Sequence, residues 1–156
     1  MAYKLIEGGG VTTPKGFLAG ACYVGVKSRK SEKPDVAIIY SEQPASCAAM
    51  FTTNKFCAAP VILDREILKK GKARAVVINS GNANAATGEQ GIKDAKTVET
   101  EAEKLLGLGE DEVFVCSTGV IGQKLPVEKV LEGVRRIVPD MSVEKGTDAE
   151  IGRAHV

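Results

Sequence analysis

The chain has 156 residues, with 21 Lys plus Arg against 20 Asp plus Glu and a formal net charge of +1. That balance, with no basic run interleaved with aromatics, leaves no electrostatic footprint for nucleic acid, and no apolar stretch approaches the ~20 residues of a spanning helix. The length fits one domain able to bury a real core, and the polar, Gly-rich start lacks the regions of a signal peptide, so the expected address is the cytosol.

In chain order, Gly8, Gly9, Gly10, Pro14 and Gly16 predict an N-terminal loop. Residues 21–27 and 36–40 then read as a hairpin joined by the charged turn 28–35, and the small, β-tolerant stretch 47–53 as a third strand ending at Asn54. Asp64 and Gly71 bracket a short helix, with Asp64 as its N-cap. The β-branched runs 75–78 and 112–116 suit buried strands. Between them Ile92, Ala95, Val98, Ala102, Leu105 and Leu106 recur at helical intervals until Gly107 stops the pattern. Val127, Val130, Leu131, Val134, Ile137 and Val138 repeat that signature behind Pro126. Strands first, then two strand-turn-helix units, predict an α+β domain with two helices on a sheet face. The acidic clusters 99–103 and 110–112 fall on a helix's polar face and in a loop, where solvation is expected.

Four cysteines, Cys22, Cys47, Cys57 and Cys116, have no C-x-x-C spacing and sit among apolar or small residues. They read as reduced, buried and structural, and no metal or redox site is expected. One histidine, His155, stands next to the last residue. Ser-His-Asp and Cys-His catalysis within this chain are thereby disfavoured. A P-loop at 10–16 fails because Pro14 and Gly16 break the pattern, and no G-x-G-x-x-G occurs.

Two cassettes stand out, 75–88 and 113–122, each a short apolar strand running into small, polar, glycine-bearing residues. Glycine lets the backbone approach a ligand with its N–H groups exposed, and Ser80, Asn82, Asn84, Ser117 and Thr118 add directed hydrogen bonds. Such turns suit a developing negative charge. Judged by residue type alone, Asn79, Ser80, Gly81, Asn82 and Asn84 serve equally as a substrate-positioning turn or a structural one, and Thr118 as a ligand donor or a cap.

Three ordered motifs also carry a resemblance: Thr52-Thr-Asn-Lys55 with Ala58-Ala-Pro-Val61, Asn79-Ser-Gly-Asn-Ala-Asn-Ala-Ala-Thr-Gly88, and Ser117-Thr-Gly-Val-Ile-Gly122. With Gly9-Gly-Val-Thr-Thr-Pro-Lys-Gly-Phe17 before them, they resemble the ornithine acetyltransferase family of arginine biosynthesis, in the family's order and spacing. The resemblance implies part of a four-layer αββα sandwich, and a protein that cleaves itself into α and β chains and uses the new N-terminal threonine as nucleophile. Acetyl would pass from N-acetylornithine to glutamate through an acetyl-threonine, with no cofactor and with acetyl-CoA as a conceivable co-substrate. Thr118 and Gly119 match the family's oxyanion hole. The nucleophilic threonine and the other family site residues have no counterpart here, so the remainder of the α chain and the β chain are the implied partners. Residues 1–148 read as the incomplete N-terminal domain and 149–156 as a tail departing from the family pattern, which removes His155 from consideration. A non-catalytic assembly partner, or a small anion- or amino-acid-binding module, are the competing readings.

Overall fold

The computed structural model describes residues 6–27 and 33–151. Four strands form one sheet in the order β1-β2-β3-β4, where β1 is Phe17–Cys22, β2 Val36–Ser46, β3 Lys72–Asn82 and β4 Val113–Val120. The pairs β1/β2 and β2/β3 are antiparallel and β3/β4 is parallel. Three helices, α1 (Ala59–Ile67), α2 (Gly88–Leu106) and α3 (Val127–Ile137), accompany them. The result is the expected α+β class, with the crossover α2 joining the parallel pair as such a pair requires.

The core follows from strand alternation. Val36 and Ile38 of β2, Val77 of β3, and Val113 and Val115 of β4 pack with Val98 and Ala102 of α2 and Val130, Val134 and Ile137 of α3. Each such aliphatic side chain, fully buried, stabilises the fold by roughly 1.5–3 kcal/mol. On the other face Ala19, Ala37 and Ala149 form a smaller cluster. Beside it lies a hollow of about 450 Å³ lined by Phe17, Ile39, Phe51, Val76, Phe114 and Cys116.

Each sheet edge is held at one point within the chain. Ala19 and Ser142 exchange N–H···O bonds of 3.0 Å along the free side of β1. On β4 the Val115 N–H donates to Asp64 Oδ1 at 3.0 Å, so α1 lies along that edge.

Several expected elements shift. The first strand is Phe17–Cys22 instead of 21–27, because the chain bends away after Cys22, where Val24 and Lys27 donate to the Asp35 carboxylate and Gly25 takes φ +77°. Residues 28–32 of the expected hairpin turn lie outside the described residues. No strand forms over 47–53: after Ser46 only the Cys47 N–H reaches the neighbouring chain, at the Gly71 carbonyl, and Arg65 instead donates to the Thr52 carbonyl and lies 5.8 Å from the Phe51 ring. The first helix starts at Ala59 with Pro60 in its first turn, so Asp64 sits inside it and caps the sheet edge, not the helix. The long α2 ends on Gly107 in the left-handed region, φ +65°. The two helices expected on a sheet face are α2 and α3, with α1 along the β4 edge.

The acidic cluster on α2 departs from expectation too. Glu99 and Glu103 are buried: Glu99 pairs with Lys96 at 2.9 Å, and Glu103 Oε1 accepts the Glu112 N–H at 3.1 Å. These carboxylates close the loop after α2, a tertiary role that helical periodicity does not announce. The cysteines are free, as expected, but none is fully buried, and Cys116 is exposed because its side chain faces the open hollow on the sheet. His155 lies outside the described residues. Among the described residues no helix is long and apolar enough to cross a membrane.

Burial raises the Asp64 carboxyl to about 7, against the lowering effect of its bond from Val115, and burial also raises Glu99 to about 7 against the nearby Lys96. A carboxyl that holds its proton more tightly folded than unfolded stabilises most at low pH. That contribution falls from about pH 4 and is gone once pH passes about 7. Asp64→Asn keeps an acceptor for Val115 and removes the charge. It is expected to gain ~1 kcal/mol or more over the parent at pH 8 and nothing at pH 3, by urea denaturation at both. Parallel pH profiles for parent and variant would refute the assignment.

Candidate functional site

Because β3 and β4 are parallel, both cassettes leave the sheet at the same end. That is the end where open sheets with parallel strands bind ligands. Register places Asn79 opposite Ser117, Ser80 opposite Thr118 and Gly81 opposite Gly119. The turns are tied together as well: the Ala83 N–H donates to the Val120 carbonyl at 2.9 Å and the Gly122 N–H to the Ala85 carbonyl at 2.8 Å. Two sequence-distant motifs thus form one structure.

The asparagine run is held by its own side chains. Asn79 Nδ2 donates to the Asn82 carbonyl at 2.9 Å, and Asn79 Oδ1 accepts from Ser117 Oγ at 2.6 Å, which links the two turns. Asn82 Nδ2 donates to the Gln123 and Lys124 carbonyls at 3.2 and 3.1 Å, while its Oδ1 accepts the Asn84 N–H at 2.8 Å. Asn84 Nδ2 donates to the Gly91 carbonyl at 2.8 Å and its Oδ1 accepts from Thr87 Oγ1 at 2.9 Å. All three asparagines are buried, and so is Ser80. Asn84 and Ala86 have φ of +46° and +57°, conformations that Asn tolerates and Ala resists. The Asn84 carbonyl accepts the Ala59 N–H at 3.1 Å, so α1 begins on this turn. Leaving any one of these buried groups unpaired costs about 1–3 kcal/mol.

The two glycines do something different from opening a gap for a ligand. A Cβ on Gly119 (φ +138°) would stand 2.3 Å from the Gly81 carbonyl carbon and 2.5 Å from the Asn82 nitrogen. A Cβ on Gly81 (φ +115°) would stand 2.8 Å from the Lys27 nitrogen. Backbone packs on backbone on both sides. Thr118 is half-buried, and its hydroxyl makes no hydrogen bond among the described residues, whereas that of Ser117 is taken by Asn79.

Neither turn contains an ionisable side chain over 79–88 or 117–122. The arrangement can donate hydrogen bonds and orient dipoles; it cannot take up a proton. Cys116, two residues before Thr118, is raised to about 11, first by the apolar walls of the hollow, which limit solvation of a thiolate although the side chain meets solvent at the mouth, and then by the nearby Asp64, which keeps it a thiol at neutral pH. Among the described residues no group of three or more His, Cys, Asp or Glu is arranged to hold a metal ion. One important residue escapes sequence reasoning: Asp35, buried beside the turns, accepts the Val24 and Lys27 N–H groups at 2.8 and 2.9 Å. In the sequence it is one more charged residue after Pro34.

The family model of the ArgJ family matches residues 18–154. The chain belongs to the ArgJ family. It is 53% identical over 141 residues to the arginine biosynthesis bifunctional protein ArgJ of Caldanaerobacter subterraneus subsp. tengcongensis, covering 90% of this chain and 34% of the relative. To the protein of the same name from Lactococcus lactis it is 48% identical over 147 residues, covering 94% and 35%. The chain therefore spans about a third of the length of the curated relatives it matches. Among solved structures, the ArgJ protein of Bacillus halodurans aligns with a TM-score of 0.84 at 37% identity, over 94% of this chain and 75% of that one. Ornithine acetyltransferase of Mycobacterium tuberculosis, solved with ornithine, aligns at 0.85 and 39% identity, over 95% and 80%.

This chain thus contains a backbone stack, 81–82 against 119, with no room for a side chain at Gly119. Gly119→Ala should destabilise this chain by about 2–4 kcal/mol, or prevent folding, since its Cβ meets main-chain atoms and not a flexible side chain. Chemical denaturation measures this. A loss below ~1 kcal/mol would mean that the turn relaxes and the contact is soft.

Proposed function

We propose that this chain supplies the oxyanion-stabilising part of an acyl-transfer site in arginine biosynthesis. The enzyme to which it contributes moves acetyl from N-acetylornithine to glutamate. The observation that carries this reading is the half-buried Thr118 beside Gly119, with its hydroxyl uncommitted, on a rigid and uncharged pair of turns. Attack on an amide carbonyl turns a neutral oxygen into an oxyanion. A donor already aimed at that oxygen stabilises the tetrahedral state by typically ~3 kcal/mol and costs no reorganisation when the charge appears. The absence of ionisable groups from both turns fits this division of labour, because proton transfer and nucleophilic attack then fall to other residues.

On this reading the nucleophile is a threonine freed by self-cleavage and contributed outside these 156 residues, and acetyl rests on it before glutamate accepts it. Acetyl-CoA would reach the same threonine as a second donor. The partners are the remainder of the α chain and the β chain. Their covering surface is the face carrying the 450 Å³ hollow, with Phe17, Ile39, Val76 and Phe114, which would make this sheet and its helices two layers of an αββα sandwich. The cytosol is the proposed address; fungal relatives carry the word mitochondrial in their names.

The test is a chimera in which this chain replaces the matching third of the Caldanaerobacter protein. With N-acetylornithine and glutamate, Thr118→Ala is expected to lower kcat ~100-fold to ~1000-fold with a much smaller change in KM, because the hydroxyl acts on the tetrahedral state. An effect confined to KM would make Thr118 a ground-state contact and overturn the assignment.

A further inference from the structure

We propose that Asp35 is a positioning residue for the Thr118 turn, acting by holding segment 23–27 down on Gly81. The proposal rests on the reading of Thr118 as an oxyanion donor, and it concerns a residue in neither glycine cassette. Asp35 precedes β2 and is 0% exposed. Its four polar groups reach three stretches of chain. Its N–H donates to the Cys22 carbonyl at 3.0 Å, and its carbonyl accepts the Ser80 N–H at 2.9 Å. Oδ1 accepts the Val24 N–H at 2.8 Å and Oδ2 the Lys27 N–H at 2.9 Å. One residue thus ties the end of β1, the segment leaving it and the end of β3. Bonds from N–H groups to an ionised carboxylate are about twice as strong as neutral ones.

The segment so held lies against Gly81. Lys27 nitrogen and Cα would stand 2.8 and 2.9 Å from a Cβ there, and the Val26 carbonyl carbon 2.9 Å. Beneath, Gly119 makes the same kind of contact with Gly81 and Asn82. Three layers of backbone, 26–27, 81–82 and 119, therefore stack with no side chain between them, and Thr118 adjoins the last. From the opposite side α3 holds the segment by its carbonyls: Lys129 Nζ donates to Gly25 at 2.8 Å and Arg136 to Tyr23 at 3.3 Å. The Asp35 carboxylate takes two of the segment's N–H groups, so removing that acceptor frees the segment to lift from Gly81 and lets the stack below it expand. A shift of ~1 Å in a reacting geometry is enough to cost up to ~100-fold in rate.

The experiment is a double-mutant cycle in the same chimera. Asp35→Asn keeps the volume but turns one acceptor into a donor that faces an N–H. It is expected to lower kcat about 10-fold to 100-fold with KM little changed. In a Thr118→Ala background it should cost almost nothing more, because the two act through one element. Lys129→Met, which removes the exposed bond from α3 to the Gly25 carbonyl and loosens the same segment, should lower kcat in the same direction and replaces Asp35→Asn if that variant does not fold. If Thr118→Ala lowers kcat but the Asp35→Asn loss multiplies with it in full, Asp35 is structural only and the proposal fails. If Thr118→Ala leaves kcat unchanged, the oxyanion reading fails instead. The amide resonances of Thr118 and Gly119 in this chain then decide the positioning claim by themselves: they move in Asp35→Asn if it holds, and stay in place at a temperature below the melt if it does not.

Discussion

The contact on which this molecule turns is between the backbones of Gly81 and Gly119, in register on adjacent parallel strands. Parallel pairing sends both chains out of the sheet at the same end, and a crossover helix is required to make it possible. Because neither residue has a side chain, the two exits lie closer than side chains would permit, and the surrounding groups are arranged to exploit that closeness. Asn79 reaches across to Ser117, Asn82 reaches forward to Gln123 and Lys124, and α1 begins on the carbonyl of Asn84. Any one of these bonds is modest. Together they leave the turns few alternative conformations, which is the property an oxyanion site needs, since donors that must reorganise when charge develops lose most of their value.

The rest of the fold supports that end of the sheet unequally. The helices cover one face with aliphatic side chains, while the other is built from Ala19, Ala37 and Ala149 beside an apolar hollow. Each edge is held at one point: by a two-bond bridge to Ser142 on one side and a single buried carboxylate on the other.

Much of this was legible in the sequence, and what was not has a common cause. The long helix stood out from 92 to 106 because its apolar residues share one period and Gly107 ends it, and the β3/β4 cassettes because β-branched runs stop abruptly at small polar residues. Those are local patterns, and local patterns survive without a structure. The errors came where a residue's partner lies far along the chain. Asp64 has the look of a helix cap but serves Val115, 51 positions later. Glu99 and Glu103 have the look of a solvated face yet turn inward to Lys96 and the Glu112 N–H. Residues 47–53 have strand-like composition and no strand to pair with. At the site, the glycines and Thr118 were visible as residue types; Asp35 was not, since nothing near it in sequence reveals that its carboxylate faces two backbone donors.

Charge is distributed in a way that separates stability from the chemistry proposed for the turns. The carboxyls raised by burial, Asp64 and Glu99, sit on helices at the β4 edge and in the loop-closing network, while 79–88 and 117–122 carry no ionisable side chain at all. A pH change near neutrality therefore alters what these carboxyls contribute to folding without changing the protonation of any side chain in the turns. Thr118 keeps its proton throughout, because a hydroxyl is a donor at every pH the fold survives. An oxyanion site made of hydroxyl and amide dipoles is in this sense indifferent to the protonation states around it. The pH dependence of an acyl transfer that used it would then report the groups that attack and shuttle protons, not the turns.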